Sequence, residues 1–304
     1  MKSLSRVIFL GVMSAALSGC ATYNMMKPPP AQTQPVTVVY TPEGPSGWND
    51  LPIGVYRVPN TNVIISGHQE GGNIGMLFGL VGVLAQDAVN TGIGKGKVSG
   101  VQEALQIDLT PQAQAITSGL LASAPLAPAF AATPDPAGPT LEVTPYAVLT
   151  FANDTDVQPW VILKATLHSA GSTTGGWSTR YIATVGRPVV FVGDNSLTAN
   201  GGALLKSTLS DELSRAIKAM LTDVATHPAR DGASQVYVES GLPFIRARMG
   251  LVGPQLSNDG STLVYVPKIA DAVVFAGVHV LDVKVVGHRP ATKDDEAKIV
   301  DTGN

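Results

Sequence analysis

The sequence predicts an α+β fold: an antiparallel or mixed sheet covered by amphipathic helices, with a small C-terminal β-subdomain. Three observations point there. First, "LEVTPYAVLTF" and "VQPWVILKATLH" flank the turn-rich "ANDTD", and "WSTRYIATVG" returns after the polar "SAGSTTGG", the pattern of strands joined by hairpins. Second, between Ala203 and Ala225, Leu205, Leu209, Leu213, Ile217, Met220 and Val224 recur at three- and four-residue steps, one apolar face of a helix. Third, from Ser234 onward the short runs "QVYVES", "FIRARMGLV", "TLVYVP" and "HVLDVKVV" have the spacing of a β-subdomain.

Taken in order, the chain opens on a positive head, Lys2 and Arg6, followed by the uncharged stretch Val7 to Leu17. At 1.5 Å per residue, a helix of that length falls well short of a bilayer core of about 30 Å. A basic head, a short apolar body and small residues before a cut describe a secretory signal. The end is Leu17-Ser18-Gly19-Cys20, and Cys20 is the one cysteine among 304 residues. This end resembles the lipobox of bacterial lipoproteins. The resemblance implies cleavage before Cys20, with Leu17, Ser18 and Gly19 as the signal-peptidase recognition residues. It implies a diacylglycerol on the Cys20 thiol, and a further fatty acyl chain such as palmitate on the new amino group. Ala21 follows where an aspartate would favour the inner membrane. The implied place is therefore the cell envelope of a Gram-negative bacterium, on the outer membrane and facing the periplasm. The thiolate is the reacting form, and two or three acyl chains hold a protein on a membrane far better than one.

Loss of residues 1–19 removes two positive charges, moving the formal balance from −3 to about −5. That excludes a nucleic-acid partner, which needs clustered Lys and Arg. Residues 20–52, rich in Pro, Gln and Thr, read as the lipidated cysteine and a tether, with Val36 to Tyr40 as an edge strand. An α+β domain is expected over 53–228, a β-rich subdomain over 229–288 and a charged, frayed tail over 289–304. Early in the domain, "GVYRVP" and "NVIISGH" read as strands. Thr110-Pro111 starts a helix reaching Ala122, with the threonine hydroxyl as cap. Asp211 and Arg215 on the long helix stand at the spacing of an i,i+4 ion pair.

Within residues 141–225, the hairpin with Thr174-Gly175 and Trp177, followed by the helix, resembles a periplasmic module. The module is the small α+β domain of the curli secretion channel lipoprotein and of the N-terminal part of the Tol translocation protein. An acidic residue before Thr-Gly is absent here. The resemblance implies envelope scaffolding, export or assembly.

Gly72, Gly75, Gly79 and Gly82 fall on one helical stripe, which suits close internal packing or self-association. "TGIGKGK" fails the phosphate-loop pattern, since Thr91 stands where glycine is required and Val98 follows the lysine. His68, His168, His227, His279 and His288 are scattered, and His279 and Asp282 point to opposite faces of a strand. Asp154 and Asp156 read as a solvated turn. No catalytic, cofactor or metal site emerges. The expected function is a lipid-anchored envelope lipoprotein with a non-catalytic interaction or assembly role. Its partners would be the membrane, through the N-terminal lipid, and an envelope protein or a second copy. The alternatives are a subunit of an oligomeric export channel and, third, an envelope hydrolase.

Overall fold

The computed structural model describes residues 27–42, 51–52, 55–66, 95–122, 125–172, 176–184, 186–269 and 274–301. Three long strands form its centre: β4 (Thr140–Phe151), β5 (Asp156–His168) and β6 (Trp177–Thr184). β4 and β5 pair antiparallel from Thr140↔His168 through to Phe151↔Val157, and β5 and β6 from Val161↔Ala183 to Leu167↔Trp177. The outer side of β4 is shared end to end by two parallel strands, β1 (Thr37–Tyr40) on its first third and β3 (Val63–Ser66) on its last. β2 (Tyr56–Arg57) pairs with β3, and β7 (Val189–Val190) with the start of β5.

Beyond β6 the sheet continues without a break. β11 (Val278–Asp282) lies parallel to β6, followed outward by β10 (Thr262–Tyr265), β9 (Ile245–Asn258), β8 (Gln235–Leu242) and β12 (Gly287–Pro290). β13 (Lys298–Asp301) pairs with β9. The α+β expectation is therefore corrected. Among the described residues strand makes up 38% and helix 22%, and one mixed sheet of 13 strands carries the fold, with few helices. The C-terminal strands extend this sheet and form no separate β-subdomain. The parallel β6–β11 pair joins segments nearly a hundred residues apart, and such pairing leaves no turn signal between its partners. The charged stretch after His288 supplies β12 and β13, and bidentate Arg289–Asp295 contacts pin the loop between them.

Both faces of the central strands are buried. Val161, Leu163, Ala165 and Leu167 of β5 enter one core, and Trp160 and Ile162 enter the other. Helix α2 (Ala199–Thr226) closes the first core with Leu205, Leu209, Leu213, Ile217, Met220 and Val224, the face expected from the sequence. Its first turn is irregular: Asn200, Gly201 and Gly202 are left-handed, so regular helix begins after them. Helix α1 (Thr110–Leu121) packs beside it. Leu109, and not Thr110, stands at the N-cap of α1 and no side chain caps the helix; the Asp108 carboxylate accepts the Thr110 N–H at 2.9 Å in the turn just ahead of it. Arg215 turns from Asp211 to Asp282, with 3.3 Å between the guanidinium and the carboxylate, tying α2 to β11.

The second core is closed by the sheet itself. β8 and β9 fold back so that Val238, Leu251 and Met249 meet Tyr146, Val148 and Trp160. The turn between them is held by Phe244 in a left-handed conformation (φ 74°) after Pro243. A type II turn prefers glycine there. Phe244 tolerates the position because Thr150 Oγ1 accepts its N–H at 3.0 Å, its carbonyl accepts from Ser66 Oγ, and its ring is buried. At the opposite end of β5, Trp177 Nε1 donates to the Lys27 carbonyl at 3.1 Å, so part of the stretch expected as tether is seated in the fold.

Candidate functional site

The first and last turns of the long strands leave a cleft of about 170 Å³ between the ends of β4, β5 and β6 and the β8–β9 hairpin. Arg246 and Arg248 reach it from one side of β9, two residues apart and hence on one face. Arg187 comes from the connection between β6 and β7. The floor is polar. Gln158 Nε2 lies 3.4 Å from both Thr184 Oγ1 and the Gly186 carbonyl, long contacts that hold the amide loosely. Thr184 donates to the Pro159 carbonyl at 3.0 Å and touches buried Glu212 from above. Gly241 makes room for the Gln158 amide, since a side chain there would meet its Oε1 at 2.8 Å.

One acidic group pairs with an arginine, and a second stands in register with another. Arg246 Nη2 stands 3.6 Å from Asp154 Oδ1, and Asp301 on β13 lies across the ladder from Arg248. Asp154 is also shared with Lys97, whose ammonium lies over the Phe151 ring. Arg187 is exposed and makes no ion pair among the described residues. The rigid planar guanidinium offers paired N–H donors matched to carboxylate and phosphate oxygens. The cleft can therefore receive an anion.

Two further polar sets are buried elsewhere. Asp223, near the C-terminus of α2, accepts from Tyr181 Oη at 2.7 Å and from Arg230 Nη2 at 2.9 Å. Burial raises the Asp223 carboxyl above its ordinary range even though Arg230 opposes the shift. Burial also pushes the Tyr181 phenol well up, and the facing Asp223 adds to it. On the other face, His279 Nε2 contacts the Phe275 carbonyl at 2.8 Å, and its ring meets Tyr265 edge-on at 5.5 Å. Burial pushes the His279 imidazole down to about 4 from 6.5, so it is neutral in the fold at neutral pH.

That depression has a definite sign. The unfolded chain takes up the proton near pH 6.5 and the folded chain only near 4, so the full contribution is present above pH 6.5 and is lost as pH falls through that window. The loss approaches about 3 kcal/mol at pH 4. Urea midpoints of the native chain should thus fall more steeply between pH 7 and 4.5 than those of His279→Gln. Parallel curves for the two proteins would refute the assignment.

Cys20, Leu17, Ser18, Gly19, Gly72, Gly75, Gly79 and Gly82 lie outside the described residues, as do Thr174, Gly175 and His68. His168 sits 3.5 Å from Glu142, His227 caps α2 in a left-handed conformation, and His288 is exposed on β12. His279 and Asp282 face opposite sides of the sheet, as strand geometry requires: His279 lies in a core and Asp282 pairs with Arg215. Asp156 accepts from Asn153 and Thr155 within its own turn. Among the described residues, no three His, Cys, Asp or Glu side chains converge to hold a metal ion, and no helix is long and apolar enough to cross a membrane. Sequence reasoning missed the arginine cleft. Its one local signal is the alternation in "FIRARMG", which places two arginines on the same side of a strand. Comparison of the chain with protein families, curated proteins and solved structures finds no match.

Proposed function

We propose that the protein is a lipid-anchored lipoprotein of the bacterial outer membrane, facing the periplasm, with an interaction or assembly role and no catalysis of its own. The observation that carries this reading is the lipobox-like Leu17-Ser18-Gly19-Cys20 after a short signal sequence. The lone cysteine adds support, since lipid attachment gives its thiol a use. The arginine-lined cleft supports the interaction role, because it presents unsaturated donors at an accessible end of a rigid sheet.

Cys20→Ser tests the anchor. The variant is expected to be lost from the membrane fraction, whereas the native N-terminal peptide carries the mass of its acyl chains. Retention of Cys20→Ser in the membrane fraction, or a native peptide without added mass, would overturn the proposal.

A further inference from the structure

We propose that the arginine cleft binds an oxyanion, a carboxylate or phosphate group borne by a larger molecule, with Arg187 as the principal free cation and Gln158 as the neutral donor beneath it. The inference gives the ligand chemistry of the interaction role proposed above and rests on that reading. Three guanidinium groups from two separate segments enter one cleft of about 170 Å³. The share of liquid volume taken by one water is about 30 Å³, so the space suits a single carboxylate or phosphate group with a few waters. Like charges gathered in one cleft need counter-charge, and among the described residues no acid pairs with Arg187. Asp154 is shared between Arg246 and Lys97, and Asp301 stands opposite Arg248. Glu212 lies under Thr184 and is fully buried. Arg187 is left facing water at the mouth.

The floor is built for an acceptor. The Gln158 amide N–H groups reach their two neighbours only at 3.4 Å, so an oxyanion oxygen can take one of them at little cost. Gly241 leaves the space behind the amide open, since a side chain there would approach its Oε1 to 2.8 Å. Arg187 and Arg248 are exposed, so the cleft opens to solvent and the anion can be the end group of a bulky ligand.

The test is titration calorimetry of the purified full-length protein in mild detergent, with inorganic phosphate and with citrate as probes at constant ionic strength. Arg187→Gln and Gln158→Glu serve as variants, both checked for native near-UV circular dichroism. The expected result is saturable binding of at least one probe, weakened tenfold or more by each variant. Binding of phosphate alone identifies a phosphate-bearing ligand, and binding of citrate alone a carboxylate-bearing one. Absence of saturable binding, equal displacement by chloride, or unchanged affinity in both variants would refute the site. Because the readout is binding by the isolated protein, its failure would leave the Cys20→Ser result standing.

Discussion

Gly253→Ala is expected to cost about 3 kcal/mol or more, and to leave little native protein at 37 °C. Gly253 lies in β9 opposite Val236, where the neighbouring segment passes directly over its α-carbon. A methyl group there would overlap the Val266 carbonyl oxygen, and would stand 2.7 Å from its carbonyl carbon and 2.9 Å from Pro267 Cα. These are backbone atoms, so no side-chain rotation relieves the overlap. The crossing segment is also pinned on both sides of the glycine: Val266 N–H donates to Pro254 O at 3.0 Å, and Lys268 N–H to Val252 O at 2.8 Å. Admitting the methyl group means breaking one of these bonds and disturbing the packing of buried Val266 in the first core and Tyr265 in the second. Urea unfolding followed by tryptophan fluorescence reads the effect. A midpoint within error of the native chain would show that the two segments do not cross as described.

Asp223→Ala carries the second large loss, about 3–5 kcal/mol, because it leaves a cation buried without its partner. The side chains of Arg230 and Asp223 are only 3% and 2% exposed, so water cannot replace the lost carboxylate. Tyr181 Oη, also buried, loses its acceptor in the same change. The cost belongs to the orphaned groups more than to the ion pair itself. A triple replacement, Asp223→Leu with Arg230→Met and Tyr181→Phe, is therefore expected to recover most of the stability lost by the single change. Equal destabilisation in the single and triple variants would mean that these residues matter for shape alone. The Asp223–Arg230 contact also fixes the chain just beyond the left-handed His227, so the single variant is expected to loosen the start of the segment leading to β8.

Legibility in the sequence followed the range of the interactions. The long strands and their two faces were readable because alternation in "VQPWVILKATLH" is local, and Val161, Leu163, Ala165 and Leu167 do share a core. The helix after Gly202 was readable for the same reason, since its apolar stripe repeats every turn. The overall architecture was not. β11 reaches β6 across almost a hundred residues, and β8–β9 fold onto Trp160 through a turn whose geometry depends on Thr150 and Ser66 from distant strands. A reading built on neighbours therefore assigned the last strands to a subdomain of their own. The cleft was missed for a similar reason. Arg187, Arg246 and Gln158 belong to three separate runs, each unremarkable alone, and only the curl of the sheet brings them together.

The hydrogen bond from Trp177 to the Lys27 carbonyl bears on posture. The seven residue steps from Cys20 to Lys27 can extend no further than roughly 25 Å at full stretch. An acylated Cys20 would therefore hold the Trp177 end of β5 close to the lipid headgroups. Gln158 of β5 and Thr184 of β6 stand at the other end of these paired strands, roughly 30 Å further on at the rise of an extended chain. With Cys20 acylated, the arginine-lined mouth would therefore lie at the end of the sheet remote from the attachment point.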